Sequence, residues 1–128
     1  MIYLDSSVVL AHLLIEEHRP SANFWDQICV SSRLLQYEVW NRIWARGLGR
    51  SHRDEVGAAL GKIELIELTR LSLRRALEPF PVGVRTLDAL HLAAIDFVRG
   101  SGEPVELASY DTRLLAAAQA LGISIAQP

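Results

Sequence analysis

The chain has 128 residues, half of them hydrophobic, with charged residues at 22% and a formal net charge of −2. That apolar content suffices for one domain, residues 1–128, with its own core, and the charge balance excludes a disordered tail or a strongly basic nucleic-acid-binding segment. The lone Cys29 excludes an internal disulfide, no Cys/His cluster has zinc spacing, and no apolar run reaches the ~18 residues of a membrane span.

In chain order, Ile2-Tyr3-Leu4 reads as a buried strand ending at the polar turn Asp5-Ser6-Ser7. An acid at position 5 and no basic leader point away from a signal peptide and toward a cytoplasmic chain. Ser6 or Ser7 caps the following helix, Val8 to Leu14, and Pro20 opens a second helix through Phe24, Trp25 and Ile28. Cys29-Val30-Ser31 is a second strand. A long helix runs from Leu34 to Arg46 and stops near Gly47 and Gly49. Ser51 caps the next helix, to about Ile63, and Leu65–Leu68 is a strand. Leu71–Leu77 is a short helix, and Pro79–Gly83 is a loop by its prolines and glycine. Thr86 caps a helix reaching about Arg99, Val105–Ser109 is a strand, Thr112–Leu121 a helix with Gly122 just past its end, and Ile123–Ile125 a last strand. Strands alternating with helices predict an α/β fold in which a parallel sheet is covered on both faces, with working groups beyond the carboxyl ends of the strands.

Four acids fall at such places. Asp5 follows the first strand and Asp111 the strand at 105–109, and each also suits a helix cap. Asp88 sits in the first turn of the 86–99 helix, where the helix dipole favours a carboxylate. Glu38 lies inside the long helix, four residues before Arg42, so a surface ion pair with Arg42 competes with a site role; Asn41 shares its face. His91, one turn after Asp88, reads as a satisfied core histidine or a support to the site, and Asp96 as a solvated charge. Were the four acids to meet about 5 Å apart, each pair would repel by about 3 kcal/mol at an effective dielectric of 20, and all pairs together by about 20 kcal/mol, beyond a small domain's stability. Such a cluster must bind cations or take up protons. An all-oxygen set suits Mg²⁺ or Mn²⁺, which can ionise a water and stabilise displacement at phosphorus.

Ile2-Tyr3-Leu4-Asp5-Ser6-Ser7, the Glu38 helix, Arg85-Thr86-Leu87-Asp88-Ala89-Leu90-His91-Leu92-Ala93 and Ser109-Tyr110-Asp111-Thr112-Arg113-Leu114 together resemble the PIN-domain family, in particular the VapC-type toxins of bacterial toxin–antitoxin pairs. The resemblance implies a three-layer fold with a central parallel sheet flanked by helices. It implies a Mg²⁺- or Mn²⁺-dependent endoribonuclease in which Asp5, Glu38, Asp88 and Asp111 hold the metal directly or through water, Ser6 orients the site, and a metal-activated water cuts structured RNA such as tRNA or ribosomal RNA to a 5′-phosphate and a 3′-hydroxyl. Some relatives carry a further acid two residues after the last one; here that position is Arg113, which speaks against a full second metal site. A homodimer and a cognate antitoxin are the implied partners, with no membrane partner.

Twelve of the thirteen basic residues are arginines, the residue suited to bidentate phosphate contact. Arg85, Arg113 and Arg42, near three of the acids, are the expected RNA contacts, and ordinary surface solvation is the competing role for each. Tyr37, Trp40 and Trp44 form an aromatic stripe on the long helix, suited to core packing or to a partner. A receiver domain would want an acidic pair after the first strand, and an Asp-nucleophile phosphatase a second acid at Ser7; neither is present. The remaining alternative is a catalytically inactive PIN-like module that binds RNA or protein without cutting.

Overall fold

The structure, a computed structural model, describes residues 1–128. Its strands are β1 (Ile2–Leu4), β2 (Cys29–Ser32), β3 (Ile63–Ile66), β4 (Glu106–Ala108) and β5 (Ser124–Ile125). Its helices are α1 (Ser6–Leu13), α2 (Leu34–Ala45), α3 (Arg53–Leu60), α4 (Arg70–Ala76), α5 (Thr86–Gly100) and α6 (Thr112–Ala120). The strands form one parallel sheet in the order β3-β2-β1-β4-β5. Strand β1 lies in the middle and is wholly buried, which is why it carries three large apolar or aromatic residues without alternation.

Side chains leave a strand on alternate faces. Ile2 and Leu4 join Val8, Val9, Leu35, Val39, Ile43 and Val56 in the core under α1, α2 and α3. Tyr3 and Val30 point the other way, among Leu92, Ile95, Leu107 and Leu114 of the α5–α6 side. Three layers result, with α4 packed on α5. From β1 the chain builds outward to β2 and β3, then crosses back to add β4 on the other side of β1. The carboxyl ends of β1 and β4 therefore flank the point where strand order reverses, the customary place for a site in an open α/β sheet.

Several boundaries differ from the sequence expectation, each for a local reason. The helix expected from Pro20 through Ile28 is a 3₁₀ segment, Ala22–Asp26, pinned by buried Phe24, and Ile28 is exposed. Strand β3 starts at Ile63, because Ile63 pairs with Cys29 across the ladder, and α3 ends at Leu60. Glu67, beyond β3, is tied to Arg33 at 2.6 Å instead. Of the cap candidates for α1, Asp5 and neither serine takes the place. Two other caps move. Ser51 does not cap α3, its hydroxyl lying 2.8 Å from His52 Nδ1. Helix α5 starts from extended Arg85, not Thr86. Asp96 is not a free surface charge. It accepts from Arg75 of α4 and Arg99 of α5 at 3.2 and 2.7 Å, locking the two helices together. Gly122 has φ +72, the left-handed conformation that favours glycine just past a helix end. No helix is long and apolar enough to cross a membrane.

Candidate functional site

Asp5 is where β1 gives way to α1, and it is 6% exposed. Its Oδ2 accepts three hydrogen bonds: from the Ser7 N–H at 3.3 Å, the Ser7 hydroxyl at 2.6 Å and the Ser109 hydroxyl at 2.9 Å. All three donors are neutral, all fall on one oxygen, and no cationic side chain pairs with this buried carboxylate. Ser109 Oγ in turn accepts from the Asp111 N–H at 2.9 Å, and Ser7 Oγ from the Tyr110 N–H at 2.9 Å. The turns that follow β1 and β4 are thus stitched together around Asp5.

Glu38 comes to the same edge from α2. It makes no ion pair with Arg42. Its Oε2 accepts from the Ser6 hydroxyl at 3.3 Å, and its Oε1 accepts from His91 Nε2–H at 2.5 Å. Ligand-type atoms of Asp5, Glu38 and His91 all lie within 4.8 Å of one another. His91 is 1% exposed, and its Nδ1 is 2.8 Å from the Tyr3 hydroxyl. Burial alone would disfavour a charged imidazole, but the Tyr3 oxygen and the Glu38 carboxylate outweigh it, and the His91 pKa is raised to about 10. Both ring nitrogens are engaged, Nδ1 with the Tyr3 hydroxyl and Nε2 with Glu38. The carboxylates of Asp5 and Glu38 are the anionic oxygen donors of the cluster.

The other two acids, Asp88 and Asp111, stand outside this group of ligand atoms within 4.8 Å of one another. Asp111 is exposed at the N-cap of α6, where its Oδ1 accepts from the N–H groups of Arg113 and Leu114 at 3.0 and 3.3 Å. Asp88, in the first turn of α5, reaches back to the Arg85 N–H at 3.4 Å through Oδ2. Asp111 is joined to the cluster by its backbone N–H through Ser109, and Asp88 stands three residues before His91 on α5. The repulsion is correspondingly smaller. One pair at this separation costs about 3 kcal/mol at an effective dielectric of 20, not the sum over a four-acid cluster. In each of the three aspartates one carboxylate oxygen serves the scaffold and the other accepts no hydrogen bond from the protein.

Ser6, Glu38, Asn41, Arg42 and Leu87 line a cavity of about 270 Å³ beside the cluster. Arg85 and Arg113 are exposed at the starts of α5 and α6. None of Arg42, Arg85 and Arg113 is held in an ion pair. In the aromatic stripe, Trp40 packs against the core and Trp44 stacks on it with ring centroids 6.4 Å apart. Trp44 is half exposed and Tyr37 mostly so. Sequence reasoning missed Tyr3, which reads there only as part of an apolar strand, and Ser7 as a ligand of Asp5. The one available signal for Tyr3 was its position two residues before Asp5 on the strand.

The chain matches the PIN domain family over residues 2–120. It is 31% identical over 130 residues to Ribonuclease VapC46 of Mycobacterium tuberculosis (strain ATCC 25618 / H37Rv), covering 99% of this chain and 97% of that protein. It is 26% identical over 134 residues to Ribonuclease VapC35 of Mycobacterium tuberculosis (strain CDC 1551 / Oshkosh), covering 100% of this chain and 97% of the relative. With the three-layer sheet, the reversal of strand order and the acids set around it, these matches place the chain in the PIN-domain family.

Proposed function

We propose that this chain is a Mg²⁺- or Mn²⁺-dependent endoribonuclease, the toxin of a toxin–antitoxin pair. One observation carries the reading: a buried Asp5 carboxylate without a cationic partner sits within 4.8 Å of Glu38 at the switch point of the sheet. The donor set fits a hard divalent ion, since it offers carboxylate oxygens and no thiolate. The names of the matched relatives support a ribonuclease.

Asp5 and Glu38 are the residues that would hold the ion, and Asp88 and Asp111 would reach it through water. When bound, the ion supplies positive charge for the oxygens of the phosphodiester under attack and favours ionisation of the attacking water. Ser6 keeps Glu38 oriented. Arg42, Arg85 and Arg113, free of ion pairs, grip flanking phosphates, so a chain of net charge −2 can still hold RNA. Structured RNA, tRNA or ribosomal RNA, is the expected target. An antitoxin is the expected inhibitor, with the exposed Tyr37 and Trp44 available as anchors, and a homodimer the expected assembly.

Incubated with structured RNA, the purified chain should release fragments with 5′-phosphates when Mg²⁺ or Mn²⁺ is added and none in excess chelator. Cleavage that persists in chelator would overturn the metal mechanism. RNA binding without cleavage under all conditions would favour the inactive-module reading. Replacing Arg42, Arg85 or Arg113 by Ala should weaken RNA binding and flatten the slope of log affinity against log salt by about 0.7 for each phosphate no longer gripped, if the RNA bound there is single-stranded. Binding measured between low and moderate salt checks this.

A further inference from the structure

A carboxylate that holds an ion must itself be held, and Glu38 is poorly restrained by its own neighbourhood. It has one more rotatable bond than an aspartate, it stands on a helix across the sheet edge from α5, and its local partner, Ser6, reaches only Oε2 at 3.3 Å. Its other oxygen is held by a chain of polar groups that crosses the layers. The Ser32 N–H of β2 donates to the Tyr3 hydroxyl at 3.2 Å, that hydroxyl meets His91 Nδ1 at 2.8 Å, and His91 Nε2–H meets Glu38 Oε1. Tyr3 is fully buried and His91 1% exposed, with the two rings edge to face at a centroid distance of 5.8 Å. Their neighbours Leu92, Ile95, Leu107 and Val30 are apolar. In such a layer a Phe and a Leu would pack equally well without burying polar atoms, and buried polar groups are costly unless every one is paired. Here the oxygen and both ring nitrogens are paired, and the chain ends on the one carboxylate of α2 that faces the cluster.

We propose that Tyr3 and His91 are positioning residues that act as a strut, aiming the Glu38 carboxylate at the cation, and that His91 is not itself a ligand. Both ring nitrogens are already engaged, so the imidazole works through Glu38. The inference rests on the nuclease reading above and adds to it residues that lie 88 positions apart in the chain.

Calorimetric titration of the whole chain with Mn²⁺, beside RNA-cleavage kinetics, tests it. Tyr3→Phe keeps the ring and removes the hydroxyl; His91→Ala removes the strut; His91→Gln retains an amide N–H near the position of Nε2. Tyr3→Phe and His91→Ala should each weaken Mn²⁺ binding by about 10–100-fold, with kcat for RNA lowered and KM unchanged, and His91→Gln should recover most of the loss. If His91→Ala fails to fold, Tyr3→Phe, checked by its melting curve, carries the test. Unchanged Mn²⁺ affinity in folded Tyr3→Phe would overturn the strut. So would a His91→Gln chain no better than His91→Ala, or a loss confined to KM. Asp5→Asn separates the two levels. Mn²⁺ binding that is lost in Asp5→Asn but intact in Tyr3→Phe overturns only the strut, whereas a wild-type chain that binds no Mn²⁺ and cuts no RNA overturns the nuclease reading with it.

Discussion

Asp5→Asn should lower RNA cleavage by several kcal/mol of barrier, on the order of a thousandfold, and leave the fold intact. The separation of the two effects follows from which atoms do what. The scaffold needs an acceptor for Ser7 N–H, Ser7 O–H and Ser109 O–H, and all three fall on one oxygen. An Asn carbonyl oxygen accepts the same bonds and caps a helix as well as Asp does. What it cannot replace is the negative charge and the second, unoccupied oxygen. The melting temperature should therefore stay within about 4 °C of wild type, while single-turnover cleavage in Mn²⁺ falls to background. Loss of activity with a matching loss of stability would mean that Asp5 is a structural cap and no more.

Asp111 and Asp88 give the second large effect, and a sharper division of roles. Asp111→Ala removes the cap of α6, whose side chain serves two N–H groups, and should cost about 1 kcal/mol of stability, within the 0.5–2 kcal/mol range of such caps. Asp111→Asn keeps the cap and should cost little. If the spare oxygen of Asp111 serves the site, both variants lose cleavage, by about 10–100-fold as is typical where a group supports a metal from outside its direct ligands. Asp88→Asn should behave in the same way, since an amide oxygen can still meet the Arg85 N–H. Chemical denaturation and cleavage rates measured on the same preparations check both. An Asp111→Asn chain with full activity would restrict that residue to capping, and the acidic centre would then consist of fewer carboxylates than the sequence suggests.

The layout of the sheet was legible because buried parallel strands leave apolar runs of a few residues and the helices between them carry glycine stops. Asp5 and Asp111 could be read as strand-end acids for the same reason. Distances were not legible. Asp88 and Asp111 follow the expected elements yet stay outside the Asp5–Glu38 cluster, since position along a chain places a residue at an edge and not at a given separation. Glu38 illustrates the converse. Sequence offers Arg42 four residues on as its natural partner, and the fold gives it His91 from 53 residues away instead. Local capping stayed open in the sequence where serines compete with an acid, Ser6 or Ser7 against Asp5. Asp5 displaces Ser6 and Ser7 as the cap of α1, which leaves Ser6 to hold Glu38 and Ser7 to hold Asp5. The strand boundary at Ile63 was set by its pairing with Cys29, which no reading of the 61–68 segment alone contains.

Crystals soaked in Mn²⁺ and measured at the manganese absorption edge would test the central claim most directly. The expected result is one anomalous peak touching carboxylate oxygens of Asp5 and Glu38, with His91 still bonded to Glu38, and no such peak in Asp5→Asn crystals. A peak elsewhere on the molecule, or none at saturating Mn²⁺, would contradict it.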